Sequence, residues 1–300
     1  MDFTLRELEC FTAVAEELSF TRAAQKLHVA QPPLSRHIRA LEDRLGTPLF
    51  DRSSRSVALT AAGAVFYEET RTVLPQLTRA GETTRRFAAG QTERLRLGFV
   101  SAVLEPELVA MLRTFRERHP TAQLRMQDLP PAEQLRAIRE GTLDGGFIGL
   151  APAERIPGID LLPWRKEAVS AFVPFGHRLA ARESIELREL AGEPLVAVSS
   201  EAAPAFSHWL RSVCGKAGFR PRIVLESPRA QAVAVMVAAG AGISLLPASL
   251  SRVVGDAAVM VSIPKLAKIS FVFARSSGTP SQALSSFMTL LRAAGRVPPG

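Results

Sequence analysis

Gln31, Ser35, Arg36 and Arg39 follow one another at spacings of four, one and three, which places them on one outer face of a helix. Those residue types suit the edges and phosphates of duplex DNA. A glutamine amide can pair bidentately with adenine, an arginine can grip guanine or a phosphate, and a serine hydroxyl can reach either a phosphate or a base edge. Pro32 and Pro33 fall in the first turn of the same helix, where a missing N–H costs little, and can touch thymine methyls. Arg52 and Arg55 follow on a short, turn-rich stretch and suit phosphates or the minor groove. Without a scaffold to aim them, the same side chains are ordinary solvated charge. His37 stays open between groove and solvent.

The flanking sequence supplies the scaffold. Leu5, Leu8, Phe11, Ala15 and Leu18 share one helical face. Ser19 or Thr21 can cap a second helix, whose inward Ala23 and Ala24 are small enough for close helix approach, with Leu27 beside them. His28-Val29-Ala30 makes a turn. Leu34, Ile38, Leu41 and Leu45 then form the inner face of the third helix, and Gly46 ends it. This is the layout of a helix-turn-helix that presents its third helix to the major groove. PLFDRSSRSVALT reads as a small β-hairpin wing, so 1–59 is a DNA-binding unit. Over 60–90 a long helical pattern carries Phe66, Val73, Leu77, Ala80 and Phe87 near a seam of three and four. Such a helix needs a partner, so it reads as a dimerising linker, kinked near Arg71–Pro75 by the interior proline.

AAGQTE at 88–93 marks a boundary, beyond which strands and helices alternate. Strands are expected at 95–100, 123–128, 145–150, 169–173, 195–198, 222–226, 243–246, 258–263 and 269–274. Helices are expected at 105–118, 132–140, 205–217, 230–239 and 280–294. The alternation predicts α/β architecture with mainly parallel sheets.

Composition bounds the rest. A chain of 300 residues, 47% hydrophobic and 22% charged, suits about two globular domains. No apolar run reaches the roughly 18 residues of a membrane span, and MDFTLRELE carries three acids and no apolar core of a signal peptide. No membrane partner and a cytoplasmic location are the expectation. The net charge of +8 is weak evidence for DNA binding, because residues 1–90 hold 12 Lys+Arg against 11 Asp+Glu. Local placement counts instead. Cys10 and Cys214 stand far apart without CxxC spacing, which fits reduced thiols rather than a metal site. The five histidines are scattered, and no GxSxG, HExxH or GxxxxGK[ST] occurs. Ser207 and His208 are neighbours that cannot face each other on a helix. No catalytic residue, cofactor or metal is therefore expected.

SFTRAAQKLHVAQPPLSRHIRALEDRLGTPLFDR, then LTAAG, then a strand ending GFV resemble the LysR-type transcriptional regulators, and the resemblance covers the whole chain. AQPPLSRHI, GFVSAVL and VAAGAGISLLPAS are similar to the branch that regulates aromatic-compound catabolism. The resemblance implies an N-terminal all-α winged helix-turn-helix and a linker helix that pairs subunits. It also implies an α/β effector domain over 91–300, made of two Rossmann-like lobes resembling type 2 periplasmic binding proteins. Lobe one would hold 91–163 and 268–300, and lobe two 164–267. The implied partners are promoter DNA, RNA polymerase, further copies in a homodimer or homotetramer, and a small-molecule effector, an organic or aromatic acid, between the lobes.

In such domains ligands sit at strand carboxyl ends near helix N-termini. That selects Ser101 and Ala102 after the first strand, and Ser199, Pro204, Ala205 and Phe206 around a lobe-two helix start. Pro131, Gly149 and Ala230 fall at matching positions on the cleft wall. Ala102 and Pro131 lack the hydroxyl that some related regulators carry there, which argues against a muconate-like diacid. Arg229 can pair a carboxylate or sit on the surface. A transport-type solute-binding protein and an effector-independent DNA-binding repressor are the alternative readings.

Overall fold

The structure, a computed structural model, describes residues 3–52, 57–71, 73–88 and 93–294. The chain divides into two compact units, Met1–Gln91 and Thr92–Gly300. Among the described residues no helix is long and apolar enough to cross a membrane.

The first unit runs α1 (Leu5–Glu17), α2 (Phe20–Lys26), α3 (Gln31–Leu45), β1 (Phe50–Arg52), β2 (Val57–Leu59), α4 (Ala61–Thr70) and α5 (Val73–Ala88). Of the two possible caps of α2, Ser19 is the one used, accepting from the Arg22 N–H at 3.3 Å. Leu8, Phe11, Ala15, Ala23, Leu34, Ile38 and Leu41 bury their side chains together, joined by Val14, but Leu5 and Leu18, at the two ends of the expected α1 face, are exposed because that face runs past the edge of the core. β1 and β2 pair antiparallel from Phe50↔Leu59 to Arg52↔Val57. The linker pattern is divided into α4 and α5, and Pro75 lies in the first turn of α5. There its lack of an N–H is harmless, and residue 72, inside the stretch where the kink is expected, lies outside the described residues. Gly63 lets α4 close onto the segment before the wing: a Cβ there would stand 2.0 Å from the Leu49 carbonyl oxygen.

Glu7 fastens α1 to α3. It is only 3% exposed. Its Oε2 accepts from the Thr4 N–H at 2.7 Å and the Thr4 hydroxyl at 3.0 Å, and it pairs with Arg44 Nη1 at 2.5 Å. Burial pushes the Glu7 carboxyl upward, but the Thr4 hydrogen bonds and the Arg44 charge outweigh it and hold the group below its usual range. A carboxyl lowered by folding stabilises the protein above its unfolded value, about pH 4.3, and that contribution disappears as pH falls through the lower folded value. Acid unfolding followed by circular dichroism is therefore expected to show a smaller pH dependence below about pH 4.3 in Glu7→Gln than in the parent. Identical slopes would remove this role.

The second unit runs β3 (Arg94–Phe99), α6 (Pro106–Arg118), β4 (Gln123–Asp128), α7 (Pro131–Arg139), β5 (Gly145–Leu150) and β6 (Ile159–Glu167). It continues through β7 (Val169–Pro174), β8 (Pro194–Val198), α8 (Pro204–Lys216), β9 (Arg222–Ser227), α9 (Ala230–Ala238), β10 (Ser244–Pro247), α10 (Ser251–Val254) and β11 (Ala258–Val261), then returns by β12 (Ile269–Ser276) and α11 (Gln282–Ala294). Lobe one holds a sheet ordered β4-β3-β5-β12-β6. Lobe two holds β10-β7-β11 and β8-β9, linked by a parallel bridge between Leu195 and Ile243.

The sheets are mixed, not mainly parallel. β3 runs parallel to β4 and β5, and β8 to β9, but β12 is antiparallel to β5 and β6, and β7 to β10 and β11. The reason is topological. The chain leaves lobe one along β6 and comes back along β12, so these adjacent strands must run in opposite directions. β6 itself escapes a reading by apolar alternation. It is an edge strand carrying Pro163 and charged residues, and its pairing shifts at Trp164, between Phe271↔Arg165 and Val272↔Pro163. Edges and bulges are where strands tolerate proline. β6 stays hydrogen-bonded to Glu167, so the chain leaves lobe one four residues beyond the 164 expected, and β12 returns beside the expected 268.

Candidate DNA-reading surface and inter-lobe cleft

In α3 the helical period separates two faces. Leu34, Ile38 and Leu41 are buried, while Gln31, Pro32, Arg36 and Arg39 are exposed and Pro33, Ser35 and His37 are half-buried. Among the described residues Arg36 and Arg39 take part in no ion pair, whereas Arg44, at the other end of the helix, is committed to Glu7. Both free guanidinium groups can therefore meet phosphate or guanine without first breaking a bond inside the protein. The turn before α3 places His28 in the left-handed region at φ 53°. Glu42 of α3 accepts from the Leu49 and Phe50 N–H groups at 2.9 and 3.2 Å, which fixes the root of the β1–β2 hairpin to α3. Arg52 closes β1; its side chain, and Arg55 altogether, lie outside the described residues.

Between the lobes of the second unit lies a cleft of about 580 Å³, partly open to solvent. Ser101, Ala102, Pro131, Gly149, Phe206 and Ala230 line it. Pro204 and Ala205 line an adjoining pocket of about 300 Å³ instead, which shares Pro131 and Phe206. Ser199 lines neither. Its N–H donates to the Ser227 carbonyl at 2.9 Å and its carbonyl accepts from Ala203 at 3.0 Å, so it joins β8, β9 and the start of α8. Ser101–Val103 form a single 3₁₀ turn rather than the start of a long helix, so Ser101 brings a hydroxyl and not a helix dipole. The Ala102 carbonyl is already occupied by Arg165 at 2.7 Å and by the Ser249 hydroxyl of lobe two at 3.0 Å. Gly149 sits at φ 74°, which glycine adopts without strain, and Phe206 stacks on Trp209 at 5.2 Å.

Sequence spacing did not bring together Asp128, the last residue of β4, and Arg229, which precedes α9. Arg229 Nη1 donates to the Asp128 carbonyl at 2.6 Å and to its carboxylate at 2.5 Å, joining the lobes at the cleft. Further ties lie between the Ala132 N–H and the Ala202 carbonyl at 3.0 Å and between Arg252 and Glu105 at 2.6 Å. The remaining wall is mostly apolar, with Ile148, Leu246 and Phe271 among its residues. A site of this kind holds a small molecule with a large apolar body and few polar groups. Both cysteines are buried; burial pushes both thiols up, that of Cys214 to about 11, so neither is a reactive thiolate at neutral pH. Among the described residues no cluster of three potential metal ligands occurs.

Comparison with known proteins gives two family matches. Residues 5–64 match the bacterial regulatory helix-turn-helix protein model of the lysR family, and residues 88–296 match the LysR substrate binding domain. The transcriptional regulator AlsR of Bacillus subtilis is 34% identical over 248 residues, covering 83% of this chain and 82% of AlsR. A probable cat1 operon transcriptional activator of Acinetobacter lwoffii is 35% identical over 254 residues, covering 84% of this chain and 83% of that protein. Full-length CbnR, solved in complex with its target DNA, superposes with a TM-score of 0.63 at 28% identity, covering 98% of this chain and all of that one.

Proposed function

The chain belongs to the LysR family of DNA-binding transcriptional regulators, with an N-terminal helix-turn-helix and a C-terminal effector-binding domain and no enzymatic role, and we propose that it reads its operator through the outer face of α3 while an organic or aromatic acid in the inter-lobe cleft controls its action. Gln31, Ser35, Arg36 and Arg39 make the contacts in the major groove, with Pro32 and Pro33 against thymine methyls and the wing arginines on the backbone. The effector lies against Ser101, Pro131, Gly149, Phe206 and Ala230, and reaches Pro204 and Ala205 where the adjoining pocket begins. The observation that carries the reading is one chain whose α3 presents a cationic face unpaired among the described residues and whose second unit holds an apolar cleft between two lobes.

AQPPLSRHI, GFVSAVL and VAAGAGISLLPAS support membership of the aromatic-compound catabolism branch. The protein works in the cytoplasm as a homodimer or homotetramer paired through the 60–90 helices, and it acts on transcription by contact with RNA polymerase.

The test is titration of the intergenic region beside its gene with full-length protein, with and without a panel of aromatic and aliphatic acids. At least one acid is expected both to raise the melting temperature and to change operator affinity. If none does either, control by an acid is wrong, and the effector-independent repressor becomes the reading.

A further inference from the structure

We propose that Asp128 is a built-in competitor for the effector. Its carboxylate occupies Arg229 across the cleft, and the single carboxylate of a monoacid with an apolar body takes its place. The proposal rests on the reading of the cleft as the effector site.

Asp128 and Arg229 are the two charged residues among those lining the cleft, and they neutralise each other. Both contacts from Arg229 to Asp128 use Nη1. Among the described residues its Nε and Nη2 have no partner, so an arriving carboxylate docks there first, and repulsion between two carboxylates on one guanidinium then drives Asp128 off Nη1. The side chains of Arg229 and Asp128 are 35% and 37% exposed. An ion pair this open to water holds weakly and exchanges readily.

An arriving monoacid can add what Asp128 cannot, an apolar body against Ile148, Leu246 and Phe271. Asp128 then returns to solvent while the guanidinium keeps one carboxylate, so the charge in the cleft stays balanced. A second carboxylate on the effector would face this apolar wall with no cation among the lining residues to receive it. The class selected is therefore the monocarboxylate. Because Asp128 belongs to lobe one and Arg229 to lobe two, the exchange also removes a tie between the lobes, while the Ala132–Ala202 hydrogen bond and the Arg252–Glu105 pair stay in place. Ligand binding thereby acquires a differential effect on lobe spacing, as any effector-driven shift requires.

Calorimetric titration of the full-length protein with benzoate, benzamide and terephthalate tests this, using the parent, Asp128→Asn, Arg229→Gln and Ala230→Phe, with melting curves to show that each variant is folded. Asp128→Asn is expected to tighten benzoate about tenfold and leave benzamide unchanged, Arg229→Gln to weaken benzoate about tenfold, and terephthalate to bind the parent about tenfold more weakly than benzoate. Ala230→Phe, which fills the cleft, is expected to abolish benzoate binding. If it does so while Asp128→Asn leaves benzoate affinity unchanged, the competitor role is overturned and the cleft remains the effector site. If benzoate binding ignores Ala230→Phe, or is missing from all four proteins, the cleft reading itself falls and the competitor falls with it.

Discussion

Arg36→Ala is expected to weaken specific operator binding by about 1–3 kcal/mol, roughly five- to 150-fold, while leaving the fold and the oligomer intact. The guanidinium is exposed on α3 and forms no ion pair among the described residues, so its removal takes nothing from the protein's own structure. Leu34 and Ile38, its neighbours on the inner face, are fully buried and do not depend on it. Gel-shift titration against operator and scrambled duplex separates its two possible duties. Loss confined to the operator means a base contact. Equal loss on both duplexes, with the salt slope reduced by about one, means a phosphate contact. Unchanged operator affinity would sink the assignment.

Phe11→Ala is the larger effect on stability, expected to cost about 3–5 kcal/mol. The ring is fully buried, with centroids 5.4 Å from Phe50 of the wing, 5.0 Å from Phe66 of α4 and 6.4 Å from Tyr67. These partners come from two elements, β1 and α4, so the void cannot be closed by moving one of them. Edge-to-face and tilted ring pairs are also lost, each worth about 0.5–1.5 kcal/mol beyond burial. Urea unfolding should show an early transition in the variant, accompanied by loss of operator binding. Benzoate binding to the second unit should persist below that transition. A loss of stability under about 1 kcal/mol would mean that the ring does not join wing and helices as described.

The N-terminal unit is readable in the sequence because independent local signals agree there. Ser19 caps where α2 begins, Gly46 stands just past α3, and Leu34, Ile38 and Leu41 are buried at their helical spacing. The effector domain is less so. A period of two marks a strand but not its direction, so the antiparallel partners of β7 and β12 leave no local trace. β6 hides its apolar half among Asp160, Arg165, Lys166 and Glu167; Asp160 pairs with Arg275 of β12, and Glu167 with Arg165 of its own strand and the Ser249 N–H. At the cleft, position after a strand finds Ser101 but also selects Ser199, whose backbone is already used. Asp128 and Arg229 are 101 residues apart, and neither carries a local mark of the other.

The pairing of Glu167 with Ile269 has a consequence for how this chain can be cut and joined. These two residues face each other in register at the end of adjacent antiparallel strands, so lobe two enters and leaves lobe one through a gap one residue pair wide. Topologically, lobe two is an insertion at the tip of a β-hairpin. A two-residue turn spans that gap, so a loop of two residues in place of 168–268 would close lobe one into an uninterrupted five-stranded sheet. The ligand-sensing domain is thus one module threaded into another.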